Sequence, residues 1–339
     1  MLYETEIKKI EKHLEYEKNP YQKIKQMDAL RFFYKENETE KEKVIYVAET
    51  DDLKYSKSIE IAIEITKLVP KEFKNIEEKL QSEIIEIMKN NYYYLSRYLF
   101  SYYVVAIEFG IEPEKQFLAP RTSVLGPISK KLDKFYYKPK AVMTISMPQG
   151  TGKTELGKRF MSFCIGKAPD LPNMMVSYSA TIAKDKFYQG EMTLIEDENG
   201  NFQKIFPELK NVLKSAENMT LDYRNDKKTK PHSEYTLYCC GFDGGITGRT
   251  RAHNVLYIDD LIKNIEEARN KDVLDKKWDE FTATLKKRMQ GNCKMLIIGT
   301  IFSINDPLSR IIKYYKDRSP ERIEVVRVPR VKWKQWNKL

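Results

Sequence analysis

The chain has 339 residues, and its 59 lysines and arginines against 49 aspartates and glutamates give a formal net charge of +10 at pH 7. This length suffices for one sizeable core with a smaller domain. The excess of basic residues favours a polyanionic partner, and the alternative is that these charges only form a solvated surface. Four cysteines without C-x-x-C spacing argue against a disulfide framework or a zinc site, and the most apolar run, residues 98–106, is too short to span a bilayer.

Residues 1–115 form the first predicted region, which is rich in lysine and glutamate and nearly free of glycine. Apolar side chains recur at helical spacing in segments such as 76–88, so this region is predicted to be helical. The tyrosine-rich stretch 92–103 is expected to belong to a helix packed on a core rather than to a surface that stacks on nucleic-acid bases. Lysine and glutamate occur from the outset, and no secretory signal is expected.

The most informative motif lies in the second region, residues 116–330. Residues 143–147 predict an apolar strand, and the following loop ends in Gly152-Lys153-Thr154 ahead of a helix-competent stretch, 155–164. Such a loop offers backbone N–H groups and a helix N-terminus to a polyphosphate, while Lys153 reaches the β- and γ-phosphates and the Thr154 hydroxyl binds Mg²⁺. The predicted nucleotide-binding residues are Gln149, Gly150, Thr151, Gly152, Lys153, Thr154 and Glu155. An ordinary strand-to-helix turn is the alternative, because Met147 stands where the usual motif has glycine.

A second motif, Val255-Leu256-Tyr257-Ile258-Asp259-Asp260, is an apolar run that ends in two carboxylates. It predicts a buried central strand, and in an open α/β sheet the ligand lies outside the carboxyl ends of such strands. Asp259 is expected to bind Mg²⁺ through water, and Asp260 to orient or deprotonate the attacking water. The alternative is that both residues only cap a following helix.

Further apolar runs predict the remaining strands, at residues 174–179, 235–240, 293–300 and 323–328. Short apolar strands that alternate with helical stretches imply a parallel sheet covered on both faces. The predicted fold class is therefore α/β, a mostly parallel sheet flanked by helices and preceded by a helical N-terminal region.

Four segments of the second region carry a resemblance to a known family: Met147–Thr154, Val176–Ser179, the run from Gly244 through Asp260 to Ala268, and Ile297–Thr300 with Asp306-Pro307-Leu308. In this order they are similar to motifs of the large terminase subunits of tailed bacteriophages, the ATPases that pump DNA into empty capsids. The resemblance covers residues 117–330 and implies a P-loop NTPase fold of the ASCE type. Helicases share the phosphate loop and the acidic strand but are not expected to carry Gly-Ile-Thr-Gly-Arg just before that strand.

The resemblance implies a role for each residue of the phosphate loop and the acidic strand. Lys153 and Thr154 would bind the phosphates of ATP and Mg²⁺, and Asp259 would be the acid on the metal side. Asp260 would act on the attacking water, although it stands where many relatives have glutamate. Because the aspartate side chain is shorter, the water would have to lie about one methylene closer to it.

The resemblance also implies a sensor and an arginine finger. Gly299 and Thr300 would sense the γ-phosphate and transmit its loss to the parts that grip DNA. Arg249 would reach into the neighbouring subunit and stabilise the charge that develops on the transferred phosphoryl group. Arg251 is the second candidate for this finger, and a DNA-backbone or surface arginine is the alternative for both.

One position of the phosphate loop departs from the family. Terminases often have an arginine beside the proline of this loop, whereas this chain has Gln149, which brings no charge. We therefore expect either a greater dependence on the arginine from the neighbouring subunit or a slower intrinsic turnover. Arg121 would contact the adenine or a phosphate, because the family has a nucleotide-contacting segment shortly before the first strand of the core.

The partners implied by the resemblance are sequence-nonspecific double-stranded DNA, a portal protein, a small terminase subunit and a homo-oligomeric ring of about five copies. The expected location is the host cell cytoplasm, transiently on the procapsid, with no membrane. Residues 1–115 would contact the small subunit or neighbouring motor subunits, or only stabilise the core. The basic segment 331–339 is predicted to be a tail or the start of a linker, and no nuclease activity is expected.

Two other functions remain open from the sequence. A helicase-like, DNA-dependent ATPase would separate strands without a capsid partner. A nucleotide-regulated DNA-binding or docking module would have little turnover, and the paired acids Asp259 and Asp260 argue against it, because a binding module needs no positioned base.

Overall fold

The computed structural model describes residues 2–68, 73, 77–209, 212–215, 220–223, 235–242 and 251–329. The chain divides into two compact units, Met1–Phe109 and Gly110–Leu339, whereas the sequence placed the division after residue 115. The predicted basic tail, 331–339, lies outside the described residues.

The described residues of the first unit form helices α1 (Glu4–Leu14), α2 (Pro20–Asn37), α3 (Lys57–Lys67), α4 (Glu78–Ser96) and α5 (Phe100–Ala106), with an antiparallel pair of strands, β1 (Val44–Val47) and β2 (Asp52–Tyr55). Asn19 begins α2, because its side chain accepts a hydrogen bond from the Tyr21 amide at 2.9 Å. Ile24, Ile65 and Ile84, from three of these helices, are fully buried in one cluster. The helical character was expected, and the short β1–β2 pair was not.

The second unit begins with α6 (Thr122–Tyr137) and continues with β3 (Val142–Ser146), α7 (Lys153–Lys167), β4 (Asn173–Ser177), α8 (Ala180–Ile182), a π-helical segment (Ala183–Tyr188), α9 (Gln189–Ile195), α10 (Asn201–Ile205), β5 (Val212–Ser215) and β6 (Thr220–Tyr223). It ends with β7 (Leu237–Gly241), β8 (Val255–Asp259), α11 (Ile265–Arg269), α12 (Lys271–Glu280), a second π-helical segment (Phe281–Leu285), β9 (Lys294–Gly299), α13 (Pro307–Arg318) and β10 (Ile323–Arg327). In the part of the chain that the structure describes, no helix is long and apolar enough to cross a membrane.

The strands of the second unit form one sheet in the order β10-β3-β9-β8-β4-β7-β6-β5. The first six are mutually parallel, and β6 and β5 continue the sheet antiparallel. All six predicted strands are present, as β3, β4, β7, β8, β9 and β10, and the α/β class with a parallel sheet flanked by helices is confirmed. The antiparallel extension was not predicted.

Both faces of the parallel sheet are covered, which explains why its strands are continuous apolar runs. Leu256 and Ile258 of β8 belong to a buried cluster that includes Leu308 and Ile311 of α13. The residue between them, Tyr257, contacts the helix α7 instead. Side chains that alternate along the strand thus bind the sheet to a different helix on each face.

Close contact between α7 and β8 depends on a glycine. Tyr257 is fully buried, and a Cβ atom at Gly157 would lie 2.1 Å from its hydroxyl oxygen. Glycine therefore allows the helix to approach the strand to a distance that no other residue permits. This approach brings the first turn of α7, with Lys153 and Thr154, to the end of β8, where Asp259 lies.

Candidate functional site

The candidate site lies where β3, β9 and β8 end together. In the parallel register Ser146 pairs with Gly299, and Asp259 pairs with Ile298, so the residues that follow these strands meet at one edge. The N-terminus of α7 lies at the same edge, because a five-residue loop leads to it from Met147. The carboxyl edge of a parallel sheet is where open α/β folds bind ligands.

The loop between β3 and α7 has the conformation that its glycines permit. Gly150 and Gly152 have φ angles of 77° and 88°, in the left-handed region that other residues avoid. A Cβ atom at Gly152 would also lie 2.5 Å from the Phe117 ring. The buried Thr151 hydroxyl donates to the Pro148 carbonyl at 2.7 Å, which closes the loop. The first N–H groups of the fifteen-residue helix α7 lack helical partners, and N–H groups in this position can bind an anion.

Lys153 is held between two groups of the site. Its side chain is only 7% exposed, and its ammonium group lies 3.2 Å from Asp260 Oδ2 and donates to the Thr300 hydroxyl. The Thr300 hydroxyl also donates to the Met147 carbonyl at 3.3 Å. Lys153 is therefore positioned over the loop, next to the carboxylate and the hydroxyl that the sequence predicted as site residues.

Asp259 and Thr154 form the second pair of the site. The Thr154 hydroxyl donates to Asp259 Oδ2 at 2.7 Å, and Asp259 is 4% exposed. Burial, together with the nearby charge of Asp260, raises the pKa of Asp259 to about 7, and Thr154 and Lys153 partly offset this effect. A buried carboxylate in this position is compensated when a cation approaches it.

The residues present fit a divalent cation. Asp259 Oδ1 accepts no hydrogen bond of ordinary geometry, so this buried oxygen has unused acceptor capacity beside the Thr154 hydroxyl. A hydroxyl and a carboxylate are hard oxygen ligands, the kind that Mg²⁺ binds alongside water and phosphate oxygens. Thr154 and Asp259 would hold the ion.

Asp260 has a strained and fixed conformation. Its φ angle is 31°, uncommon for a residue with a side chain, and its Oδ1 accepts a hydrogen bond from the Thr300 amide at 2.9 Å. Its own amide donates to the Ile298 carbonyl at 3.0 Å. Strain of this kind is maintained by surrounding contacts and is concentrated at functional sites.

The structure excludes the alternative that the two acids only cap a helix. The next helix, α11, begins at Ile265, and its N-cap is Asn264, whose side chain accepts from the Glu267 amide at 3.0 Å. Asp259 and Asp260 instead contact Thr154, Lys153 and residue 300. Gly299 contributes space, because a Cβ atom there would lie 3.2 Å from Asp260 Oδ1.

Three other predicted site residues have surroundings that differ from those of the two pairs described above. Gln149 is exposed on the loop. Glu155 is turned to its own helix and pairs with Arg159 at 2.8 Å and with the Lys158 ammonium. Arg121 contacts Phe117: its guanidinium donates to the Phe117 carbonyl at 2.8 Å and lies 5.3 Å from the centre of that ring.

Of the two candidate arginine fingers, Arg251 lies within the described residues. Arg249 and the Gly244–Gly248 run lie outside the described residues. Arg251 is exposed, directly before Ala252, which forms an isolated bridge to Met289. The choice between the two arginines therefore remains a prediction.

Sequence reasoning missed Glu191 of α9. This residue is fully buried, and neither of its carboxyl oxygens has a hydrogen-bond partner. Burial raises its pKa well above the usual value for glutamate, and Glu155 adds to the rise, while Lys158 and Arg159 oppose it. Only the three-dimensional packing of α9 under α7 reveals this group, because an isolated glutamate in a polar stretch has no distinctive pattern.

We expect Glu191→Gln to flatten the dependence of stability on pH. The folded state keeps a proton on Glu191 above pH 4.5, whereas the unfolded chain loses it there, so the free energy of unfolding falls as pH rises. Asp259, whose pKa is also raised, adds the same sign of slope in both proteins. Urea unfolding between pH 5 and 8 measures the difference.

The matched control for this prediction is Glu198→Gln, because Glu198 is exposed. The wild-type slope should persist in this control and decrease in Glu191→Gln, which should also be the more stable protein at pH 8. Equal slopes in all three proteins would show that Glu191 is ionised in the folded state.

No protein-family model matches this chain, and no curated protein matches it at significant similarity. The family resemblance therefore rests on the motifs named above. Direct contacts join Lys153, Thr154, Asp259, Asp260 and Thr300, and these contacts are the basis for a function.

Proposed function

We propose that this chain is the ATP-hydrolysing motor subunit of a viral terminase, which moves double-stranded DNA into a procapsid. The observation that supports this most strongly is the meeting of the phosphate loop and the paired acids at one sheet edge. Lys153 contacts Asp260, and Thr154 contacts Asp259, although more than 100 residues separate them. A turn without a nucleotide role requires neither contact.

The order of the strands also supports the proposal. Strand β9 lies between β3, which leads to the phosphate loop, and β8, which ends in the acids. Thr300 therefore stands between Lys153 and Asp260 and contacts both. In the ASCE type of P-loop fold that we propose, this is the position of a residue that senses the γ-phosphate.

The mechanism follows from the contacts of Lys153 and Asp260. The bound phosphates of ATP would attract the Lys153 ammonium, which lies against Asp260 in this structure. Asp260, still fixed by the Thr300 amide, would then be available to take a proton from the attacking water. Mg²⁺, held by Thr154 and Asp259, would neutralise charge on the phosphate oxygens. Loss of the γ-phosphate would be transmitted through Thr300.

Coupling to DNA is the further part of the proposal. The net charge of +10 suits contacts with phosphate backbones, and such contacts are independent of sequence, as a packaging motor requires. The proposed partners are duplex DNA, a portal protein and a small terminase subunit, and the proposed location is the host cytoplasm. A ring of about five copies would let Arg249 or Arg251 act at the site of a neighbour.

Mixing defective subunits tests the ring. We expect Asp260→Asn and Arg249→Ala each to lack ATP turnover and their mixture to regain part of it. In the mixture, an Arg249→Ala copy keeps Asp260 and can receive Arg249 from a neighbouring Asp260→Asn copy, which completes one site. Arg251→Ala is tested in parallel as the second candidate. The rate of phosphate release at several protein concentrations is the measurement.

A mixture of Asp260→Asn with Lys153→Ala is the matched control, because both changes disable a subunit's own site and no intact site can form. Wild-type rates in both arginine variants, independent of concentration, would contradict the ring. Strand separation by the wild-type protein in the same assays would then favour the helicase-like alternative.

A further inference from the structure

A groove of about 590 Å³ opens at the carboxyl edge of the sheet, beside the site. Ser146, at the end of β3, lies on one side of it, immediately before Met147 and the phosphate loop. Ile301, directly after Thr300, also lines it. Thr300, which precedes Ile301, contacts Lys153, so the groove adjoins the predicted phosphate site.

The groove spans the ends of β9, β3 and β10, and its β10 side is the part farthest from the acids. The acids that would act at the γ-phosphate follow β8, which is two strands from β3 on one side. Strand β10 is next to β3 on the other side, and its last residue, Arg327, lines the groove. A nucleotide whose γ-phosphate lies at Asp260 would extend its base toward this side.

The lining of the groove suits a base and a ribose. Its apolar residues are Ile301, Phe302, Ile304, Val328 and Pro329. Ser303 and Arg327 add polar groups, and no ion pair involves Arg327 within the described residues. Ligand pockets of about 300–1,000 Å³ typically combine apolar walls with a few polar groups in this way.

One wall of the groove is fixed before any ligand arrives. The fully buried Asp306 accepts hydrogen bonds from the amides of Phe302 at 2.8 Å, Ser303 at 3.3 Å and Ser309 at 2.9 Å. The Ser309 hydroxyl donates to the Ser303 carbonyl at 2.9 Å. A wall that is already ordered lowers the entropy cost of binding.

Phe117, which lies near the phosphate loop, is less suited to stacking on a base than Phe302 of the groove. Phe117 is 7% exposed, and the guanidinium groups of Arg159 and Arg121 lie 4.4 and 5.3 Å from its ring centre. These contacts occupy the space in which a base would stack. They indicate that Phe117 supports Gly152 and the loop rather than the ligand.

We propose that the groove lined by residues 301–304 and 327–329 binds the nucleobase and ribose of the nucleotide whose phosphates lie at Lys153. This inference rests on the proposed function and adds the position of the base. It predicts that substitutions in the groove lower the affinity for a nucleotide but leave the affinity for inorganic polyphosphate unchanged.

The test compares ATP with inorganic tripolyphosphate, each with Mg²⁺, by calorimetric titration. Ser303→Trp fills the groove, and Val328→Ser removes apolar surface from it. We expect ATP affinity to fall about tenfold in Ser303→Trp, within the range that stacking of a base contributes, and less in Val328→Ser. Tripolyphosphate affinity should stay at the wild-type value in both. Lys153→Ala should weaken both ligands.

Leu171→Ser is the matched control, because Leu171 is exposed and precedes β4, at the amino edge of the same sheet. Thermal unfolding of each variant verifies its fold, and Val328→Ser remains decisive if Ser303→Trp does not fold. Unchanged ATP affinity in the groove variants, or an equal loss for tripolyphosphate, would overturn the inference while leaving the proposed function intact. A wild-type protein that binds neither ligand would overturn both.

Discussion

Replacing Asp260 with asparagine is expected to lower ATP turnover by about 10²–10⁴-fold, the usual contribution of a positioned general base. Asparagine keeps the oxygen that accepts from the Thr300 amide, so the loop geometry is retained. It removes the charge that faces Lys153 and the capacity to take a proton from water. ATP binding should therefore persist while phosphate release stops.

Single-turnover phosphate release and equilibrium ATP binding together measure this effect. Asp317→Asn is the matched control, because Asp317 is an exposed acid of α13 that pairs only locally, with Lys313 at 2.8 Å. The control should turn over at the wild-type rate. Normal turnover in Asp260→Asn would show that another group activates the water.

Gly157→Ala is expected to destabilise the second unit by about 3 kcal/mol, because overpacking a rigid core costs amounts of this order. The added Cβ atom would lie 2.1 Å from the hydroxyl oxygen of Tyr257, which is fully buried between α7 and the sheet. Helix α7 would have to move outward and carry Thr154 away from Asp259. Mg²⁺-dependent ATP binding should weaken along with stability.

Gly126→Ala is the matched control for this prediction. Gly126 also lies in a helix, α6, but, apart from its chain neighbours and the helix backbone, an added Cβ atom would meet only Thr122, at 3.8 Å. Alanine is the better helix former, but Pro127 follows and crowds the Cβ of the residue before it, so the two effects oppose each other and the change should cost far less than Gly157→Ala. Chemical unfolding of both variants provides the comparison, and equal stabilities would contradict the tight contact of α7 with β8.

The parallel strands could be predicted because a strand buried on both faces is a continuous apolar run in the sequence. Residues 255–259 are all buried, as the apolar run indicated, and the same holds for β4 and β7. The short pairs β1–β2 and β5–β6 escaped prediction, since strands of four residues carry too little pattern. The π-helical segment Ala183–Tyr188 could not be predicted from the sequence either, because its residues are compatible with an ordinary helix.

The candidate site was predictable as residue types and not as contacts. Lys153, Thr154, Asp259 and Asp260 stand out by motif, and the structure brings them together. Their pairing depends on strand order, which local sequence does not specify. The positive φ angle of Asp260 arises from contacts across the sheet, and nothing in the sequence indicates it.

Residues that act through tertiary contacts were missed for the same reason. Phe117 lies against Gly152 although 35 positions separate them in the sequence. Glu191 becomes distinctive only when its carboxyl is buried without a partner. Arg121 was predicted to contact the nucleotide, and in the structure its hydrogen bond and ring contact are with Phe117.

The central claim is that Lys153, Thr154, Asp259 and Asp260 form a Mg²⁺-dependent site of ATP hydrolysis. Steady-state phosphate release from ATP tests it most directly, with wild-type and Lys153→Ala proteins, in Mg²⁺ and in excess chelator, with and without linear duplex DNA. We expect the wild type to hydrolyse ATP only with Mg²⁺ and faster with DNA, and Lys153→Ala to lose this turnover. Phosphate release that is absent from the wild type, or unchanged in Lys153→Ala, would contradict it.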